Sequence, residues 1–319
     1  MRGTPQAQAQ DGDQDLSAPV VSIVIPYYNR RNTIDRAMRS IADQSFRAFE
    51  VVIVDDGSTE PLQAADVECR GCDVRILRQD NAGANAARNR GIMAARGKYV
   101  AMLDSDDEFL PHHLENAVAA LDAAPANIAV FSPVIVDRGN DKRFIKPPRA
   151  PREGEHIADY LLRDRGFIQT STLVLPRELA LATQYGAGLP YGQDKDFAIR
   201  LYDHGVRFRM LPEPAAIWAD GFDPDRVSSK AVAGMRSQWL DSVRPIITDR
   251  AYHGDRGWSI ARSYRREGHG AKALWLYLNA LARGCYSPRL ALMIFTQIFV
   301  PERSYRRLID FIGPLLNRA

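Results

Sequence analysis

Three carboxylates stand within four residues at Asp104-Ser105-Asp106-Asp107, directly behind the apolar run Tyr99-Val100-Ala101-Met102-Leu103. Carboxylate oxygens are hard donors, and gathered at the end of a strand they suit Mg²⁺ or Mn²⁺, which keep positions for water and substrate phosphates. The same residues would also serve as caps for the helix expected after Pro111. Two further sets carry chemistry. Pro26-Tyr27-Tyr28-Asn29-Arg30 offers a ring that can stack on a base and, in Arg30, a cation for phosphate. Asp55-Asp56-Gly57-Ser58-Thr59 offers a carboxylate that could accept the imide N–H of uracil or thymine, within a run that is also ordinary turn chemistry.

These groups act together only if strands deliver them to one edge. Val20 to Pro26, β-branched and apolar apart from Ser22, reads as a buried strand. Glu50 to Val54, Val74 to Leu77, Tyr99 to Leu103 and Ile128 to Val136 read as further strands. Between them, a helix opens at Asn32 or Thr33, with Asp35 in its first turn and Ile34, Met38 and Ile41 on one face. Ala84 to Ala95 is a small-residue helix that stops at Gly97, and Leu114, Val118 and Leu121 define one after Pro111. This alternation predicts an α/β fold, a mostly parallel sheet with helices on both faces. Ligands sit at the carboxyl ends of such strands, where all three sets fall. After Asp137 the pattern changes. Residues 138–156 are basic and Pro-rich and read as a loop or flap, Thr170 to Leu175 as a strand, and a helix begins near Asp194. From Ala231 onward the signal is helical, and Trp258 to Leu281 resembles one tetratricopeptide-like hairpin, which as a single copy predicts an annex rather than a solenoid.

With 319 residues, 45% hydrophobic and 25% charged, the chain has the composition of a soluble protein. A net charge of +3 gives no footprint for nucleic acid. Charge is uneven, however: from Arg283 to Ala319, six arginines face only Glu302 and Asp310. With the apolar run Leu290 to Val300, too short to span a bilayer, they suggest peripheral contact with an anionic membrane surface, against the plainer alternative of a packed annex. Residues 1–18 read as a disordered leader with no secretory signal, which points to the cytoplasm or the inner face of a membrane. Cys69, Cys72 and Cys285 lack a fourth ligand for zinc and are expected as reduced thiols. His112-His113 are expected at the surface.

Four motifs stand in register with the strands: Ser22 to Asn29, Val52 to Ser58, Asn81 to Gly91 and Gly97 to Asp107. Together they resemble the family 2 inverting glycosyltransferases of the GT-A fold, strongly over Val20 to Val136 and weakly to about Ser229. The resemblance implies a GT-A domain over 19–230, with a nucleotide-binding half (19–137) and an acceptor half (138–230), followed by a helical region over 231–319. It implies that Tyr28 stacks on the base, Asp56 reads its imide edge and Pro26 lines the pocket. Asn81 and Arg88 would meet base or diphosphate, with Arg30 also on the nucleotide. Asp104 would hold the ribose side, Asp106 would ligate Mn²⁺ or Mg²⁺, and Asp107 would join it or orient the site.

Gly192-Gln193-Asp194-Lys195-Asp196-Phe197 resembles the acidic motif of the family, which makes Asp194 the general base for the acceptor hydroxyl. The family usually has Glu-Asp there, and Gln193 departs from it. Loss of the like charge would let Asp194 ionise more easily. Gln193, Asp196 and Trp218, the last within Trp218 to Asp223, are the acceptor-side candidates, and Arg226 to Ser229 resembles the end of the domain. The implied partners are a nucleotide-sugar donor, with uridine favoured, and a saccharide or lipid-linked saccharide acceptor. Two alternatives stand beside this reading. A sugar-phosphate nucleotidyltransferase would want a glycine-rich loop where Pro26-Tyr27-Tyr28-Asn29 stands, and a catalytically silent nucleotide-sugar scaffold is favoured only by Gln193. A dinucleotide dehydrogenase lacks its glycine fingerprint in the first βα turn.

Overall fold

The computed structural model describes residues 18–67, 69, 71–139, 143–189, 191–220 and 232–300. The expected leader, Phe222 and Asp223, the segment Arg226 to Ser229 and the arginines 303, 306, 307 and 318 lie outside the described residues.

Strand β1 (Val21–Tyr27) is buried along its whole length and pairs in parallel with β2 (Phe49–Asp56) on one side and β4 (Tyr99–Met102) on the other. Its sequence, apolar but for Ser22, whose hydroxyl is satisfied by Glu50, is what a strand covered on both faces needs. β3 (Asp73–Gln79) extends the sheet beyond β2 in parallel. Beyond β4 lie β9 (Val174–Pro176), β6 (Ile128–Phe131) and β10 (Arg207–Met210), giving the order β10-β6-β9-β4-β1-β2-β3. β9 runs antiparallel to both neighbours, so the sheet is mixed. A second, smaller sheet has the order β5-β11-β7-β8, built from β5 (Glu108–Phe109), β7 (Val134–Asp137), β8 (Arg143–Lys146) and β11 (Ala216–Ala219).

Three sequence expectations are corrected here. The run 128–136 is not one strand. It leaves the large sheet after Phe131 and enters the small one at Val134, because Pro133 cannot donate to a ladder. Residues 170–172 form a 3-10 turn, so only the end of the expected strand pairs, as β9. Within the expected loop, β8 forms a hairpin with β7.

Helices α1 (Arg31–Ala42) and α3 (His113–Asp122) cover one face of the sheet, packing Ile34, Met38, Ile41, Leu114 and Leu121 against Ile23, Ile25 and Val51. Each such side chain, fully buried, contributes about 1.5–3 kcal/mol. The other face carries α2 (Ala84–Ala94), α4 (Ile157–Arg163), α5 (Arg177–Thr183) and α6 (Gln193–Asp203). Gly91 lets α2 lie directly on β1, since a Cβ there would collide with Val24. The helical tail comprises α7 (Ala233–Ser242), α8 (Asp249–Asp255), a π-helical turn Arg256–Ile260, α9 (Ala261–Arg266), α10 (Gly270–Ala282) and α11 (Pro288–Phe299). α9 and α10 form the expected hairpin. The tail is no separate body: Trp239, Leu240, Ala261, Leu276 and Ile294 share one continuous core with Val24, Met102, Phe131 and Phe197.

Two smaller corrections follow from packing. Cys69 and Cys72 are joined as a disulfide rather than free, across a turn closed by the Cys72 N–H on the Cys69 carbonyl (3.1 Å). His113 is buried, not exposed, with its ring 4.6 Å from that of Phe109, and burial pulls its pKa down to about 3, so it is neutral.

Candidate active site

A cavity of about 1010 Å³ opens at the carboxyl ends of β1, β2 and β4. Pro26, Tyr28, Arg30, Asp56, Asn81, Arg88, Asp104, Asp106, Gln193, Asp194 and Trp218 all line it. The structure thus gathers into one space residues spread over 193 positions of sequence, from Pro26 to Trp218.

On the β1–β2 side the loops are locked to one another. The Asn29 N–H donates to Ser58 Oγ (3.0 Å), and the Thr59 N–H to Asn29 Oδ1 (2.9 Å). Asp56 accepts from Gln79 Nε2 (2.7 Å) and from the N–H groups of Ala82 (2.9 Å) and Gly83 (2.8 Å), so it ties the entry of α2 to the end of β2. Gly57 has φ 77°, and a Cβ there would stand 2.7 Å from the Asn81 nitrogen, so a side chain is excluded where this loop meets Asn81. Asp55 plays no part in the cavity. It closes its own turn by accepting from the Ser58 and Leu62 N–H groups and from Arg78. Tyr28, 47% exposed, presents its ring at the cavity's surface.

Arg88 is the centre of the site. Its Nη2 donates to Asp104 Oδ1 (2.6 Å), and its Nη1 to Gln193 Oε1 (3.0 Å) and Asn85 Oδ1 (3.2 Å). Its guanidinium lies 5.2 Å from the Tyr185 ring centroid. Burial opposes the charge, but Asp104, Tyr185 and Asp194 together outweigh it and hold Arg88 protonated above its ordinary range. Gln193 also donates to the Leu189 carbonyl (3.1 Å), so the departure from the family pattern has a structural use: one amide receives Arg88 and holds the loop that leads into α6.

The carboxylates differ in their surroundings. Asp106 forms a long ion pair with Arg30 (3.9 Å). Asp107 does not line the cavity. It is buried beneath, accepting from Gln169 Nε2 (2.6 Å), Ser171 Oγ (2.7 Å) and the Ala219 N–H (3.2 Å). Burial, with repulsion from Asp104 and Asp106, pushes its pKa well up. Asp194 stands at the first turn of α6 and accepts from Thr170 Oγ1. Burial raises its pKa, Arg88 opposes the rise and Asp104 adds to it. Asp196 is turned away, fully buried, holding Trp239 Nε1 (3.1 Å) and Arg200 (2.8 Å). Trp218 pairs with Phe167 (centroids 5.4 Å apart) to form an aromatic wall.

Sequence reasoning missed Gln169, Thr170, Ser171, Phe167, Tyr191 and Lys195. The polar run Gln169-Thr170-Ser171-Thr172, interrupting an otherwise apolar stretch, was the available signal for the first three.

Residues 22–180 match the family model for glycosyl transferase family 2. The chain is 29% identical over 263 residues to the amylovoran biosynthesis glycosyltransferase AmsB of Erwinia amylovora, covering 79% of this chain and 87% of that one. It is 42% identical over 113 residues to the succinoglycan biosynthesis protein ExoO of Rhizobium meliloti (strain 1021), 35% of this chain and about a third (32%) of the relative's length. The fold is similar to that of S. aureus TarS 1–349 solved in complex with UDP-GlcNAc, with a TM-score of 0.59 and 19% identity over 89% of this chain and 82% of that one.

Proposed function

Since the chain belongs to glycosyl transferase family 2 and has the GT-A arrangement of sheet and helices, we propose that it is an inverting enzyme that moves a sugar from a uridine-diphosphate donor to a hydroxyl of a saccharide or lipid-linked saccharide, in the assembly of a polysaccharide or glycolipid. The observation that carries this reading is the convergence of four separate motifs and the Gln193-Asp194 pair on one cavity. Relatives named for amylovoran and succinoglycan biosynthesis support the process, and the UDP-GlcNAc bound to TarS supports the donor class.

In this reading Tyr28 stacks on uracil, Pro26 lines its pocket and Asp56, already oriented by Gln79 and two backbone N–H groups, reads the imide. Asn81, Arg88 and Arg30 serve the base and diphosphate, and Asp104 the ribose side. The donor set fits a hard divalent cation with few protein ligands: Asp104 and Asp106 line the cavity, while Asp107 is occupied beneath it. Among the described residues no group of three His, Cys, Asp or Glu could hold a metal ion by itself, so in this reading water and diphosphate oxygens would complete the shell of Mn²⁺ or Mg²⁺. When bound, such a cation stabilises the charge growing on the leaving diphosphate. Asp194 takes the proton of the acceptor hydroxyl on the face opposite the leaving group. Its raised pKa brings it nearer the working pH, where a base both stays ionised and binds a proton usefully. Asp107 holds Gln169 and Ser171, and Ser171 in turn accepts the Asp104 N–H (3.0 Å), so it orients the acidic loop.

Among the described residues no helix is long and apolar enough to cross a membrane. The proposal includes peripheral contact with an anionic membrane surface at its cytoplasmic face. Exposed Trp275 (59%), Leu278, Leu292 (67%) and Phe295 on α10 and α11, flanked by exposed Arg283 and Arg289, support it. Sedimentation with phosphatidylglycerol vesicles, lost in Trp275→Ser with Leu292→Ser, tests this contact.

The donor reading is tested by melting the protein with UDP, GDP, dTDP and ADP, each with and without Mn²⁺. A Mn²⁺-dependent rise specific to UDP is expected. Folded protein indifferent to every nucleotide would sink the reading.

A further inference from the structure

Lys195 follows the proposed base directly and also lines the cavity, yet the transfer reading gives it no task. Two steps along a helix turn a side chain by about 200°. Gln193 therefore faces Arg88, while Lys195 faces the side built by α7 and the π-helical turn. Among the described residues its ammonium makes no hydrogen bond or ion pair, and its electrostatic partners, Tyr191, Asp255, Arg236 and Asp194, act at longer range.

The surroundings give this cation support without occupying it. Asp255, buried at 2% exposure, has one carboxylate oxygen with no hydrogen-bond partner. It is a counter-charge set back from contact, and with Tyr191 it raises the pKa of Lys195 against the opposing effect of burial. Arg236 stacks on Tyr191, with its guanidinium 3.8 Å from the ring centroid, and Tyr191 itself lines the cavity. Arg236 Nη1 and Tyr191 Oη both meet Ser259 Oγ, at 3.3 Å and 3.4 Å. Lys195 thus stands in the cavity wall with Arg236 beside it, and Asp255 and Asp194 are the carboxylates that act on it without contact.

We propose that Lys195, backed by Arg236, forms an anion-binding wall beside Asp194 that takes a phosphate or carboxylate carried by the acceptor. The inference rests on the transfer reading for the word acceptor. Arg88, Arg30 and the acidic loop already serve the donor diphosphate in that reading, and a group next to the base meets whatever brings the hydroxyl. It also gives the helical tail a role in the reaction, since Arg236 comes from α7 and Ser259 and Asp255 from the turn and helix after it.

The experiment uses the full chain with saturating UDP and Mn²⁺, and follows melting on addition of farnesyl diphosphate or methyl glucuronide, one arm for each source of the anion. A further rise with one of them is expected, with apparent affinity reduced about ten- to hundredfold in Lys195→Met, the worth of a charge-assisted hydrogen bond. Lys195→Arg should restore binding. If Lys195→Met fails to fold, Arg236→Gln is read in the same way. UDP stabilisation without any anion response, or an anion response unchanged in both variants, overturns the wall. An anion response lost in Lys195→Met, in protein indifferent to UDP, would keep the wall and overturn the donor reading instead.

Discussion

The two ends of the same sheet treat buried charge in opposite ways. Where β2 begins, Glu50 is fully buried and accepts from Ser22 Oγ (2.6 Å), the Arg96 N–H (2.7 Å), Arg75 Nη2 (2.8 Å) and Arg96 Nε (2.9 Å). Burial opposes its ionisation, but Ser22, the Arg96 N–H and Arg75 outweigh it and hold its pKa below the usual range. Where β4 ends, Asp107 is as deeply buried and Asp194 lines the cavity half-buried, yet both pKa values are pushed up, by desolvation first and with neighbouring carboxylates adding to it. The first end is complete in the folded chain. The second leaves polar atoms such as Gln169 Oε1 and Arg88 Nε without a hydrogen-bond partner among the described residues, which is the condition of a site that a ligand completes. One end serves stability and the other chemistry.

The sharpest test is at Asp194. Asp194→Asn should lower transfer by about 10²–10⁴-fold, the worth of a general base, with the UDP-induced rise in melting temperature retained. Steady-state rates and a melting curve on the same preparation check it, and wild-type rates should climb with pH above the ordinary aspartate range.

At the other end, Glu50→Gln should cost about 1–3 kcal/mol, since Arg75 and Arg96 lose a charged acceptor but keep access to water, and should leave the UDP response intact. A Glu50→Gln protein that melts normally would break the comparison. Arg88→Met should destabilise by a similar amount and also abolish the UDP response, because Arg88 serves both fold and site. Denaturant unfolding with and without UDP separates the two.

The pH dependence has opposite signs at the two ends. Glu50, lowered in the fold, contributes stability that is present above its unfolded value of 4.5 and lost as pH falls through the folded one. Asp107 and Asp194, raised above 3.8, contribute stability that is present below that value and lost as pH rises through their folded values. Melting temperatures from acid to neutral pH should therefore fall less steeply toward acid in Glu50→Gln than in wild type.

Smaller effects are expected at the rear of the site. Trp239→Phe removes the indole donor to buried Asp196 and should cost about 1–3 kcal/mol, read by urea unfolding. Gln193→Glu should weaken UDP binding by a few-fold, since a carboxylate would face the Leu189 carbonyl and compete with Asp104 for Arg88. It should also move the rate–pH limb to higher pH by adding a like charge beside Asp194.

The sequence alone determined the strand–helix alternation through Leu121 and the set of residues on the β1–β2 side of the cavity. Tyr28, Asp56 and Asp104 each lie at or within two residues of a strand end, so a local pattern was enough to place them on one edge. Only the tertiary structure decided the rest. The break at Pro133, the turn at Thr170 to Thr172 and the antiparallel β9 depend on which sheet accepts each segment, and short strands carry too few residues to declare that. The fates of the acidic residues were settled in the same way. Asp106 and Asp107 are neighbours in sequence, yet one lines the cavity and the other supports the loop from below, because Gln169 and Ser171 arrive from more than sixty residues away to claim the second. Asp194 and Asp196 divide likewise between Thr170 and Trp239. Periodicity records which face a residue takes on its own element; which partner meets it there is a property of contacts that no local stretch of sequence contains.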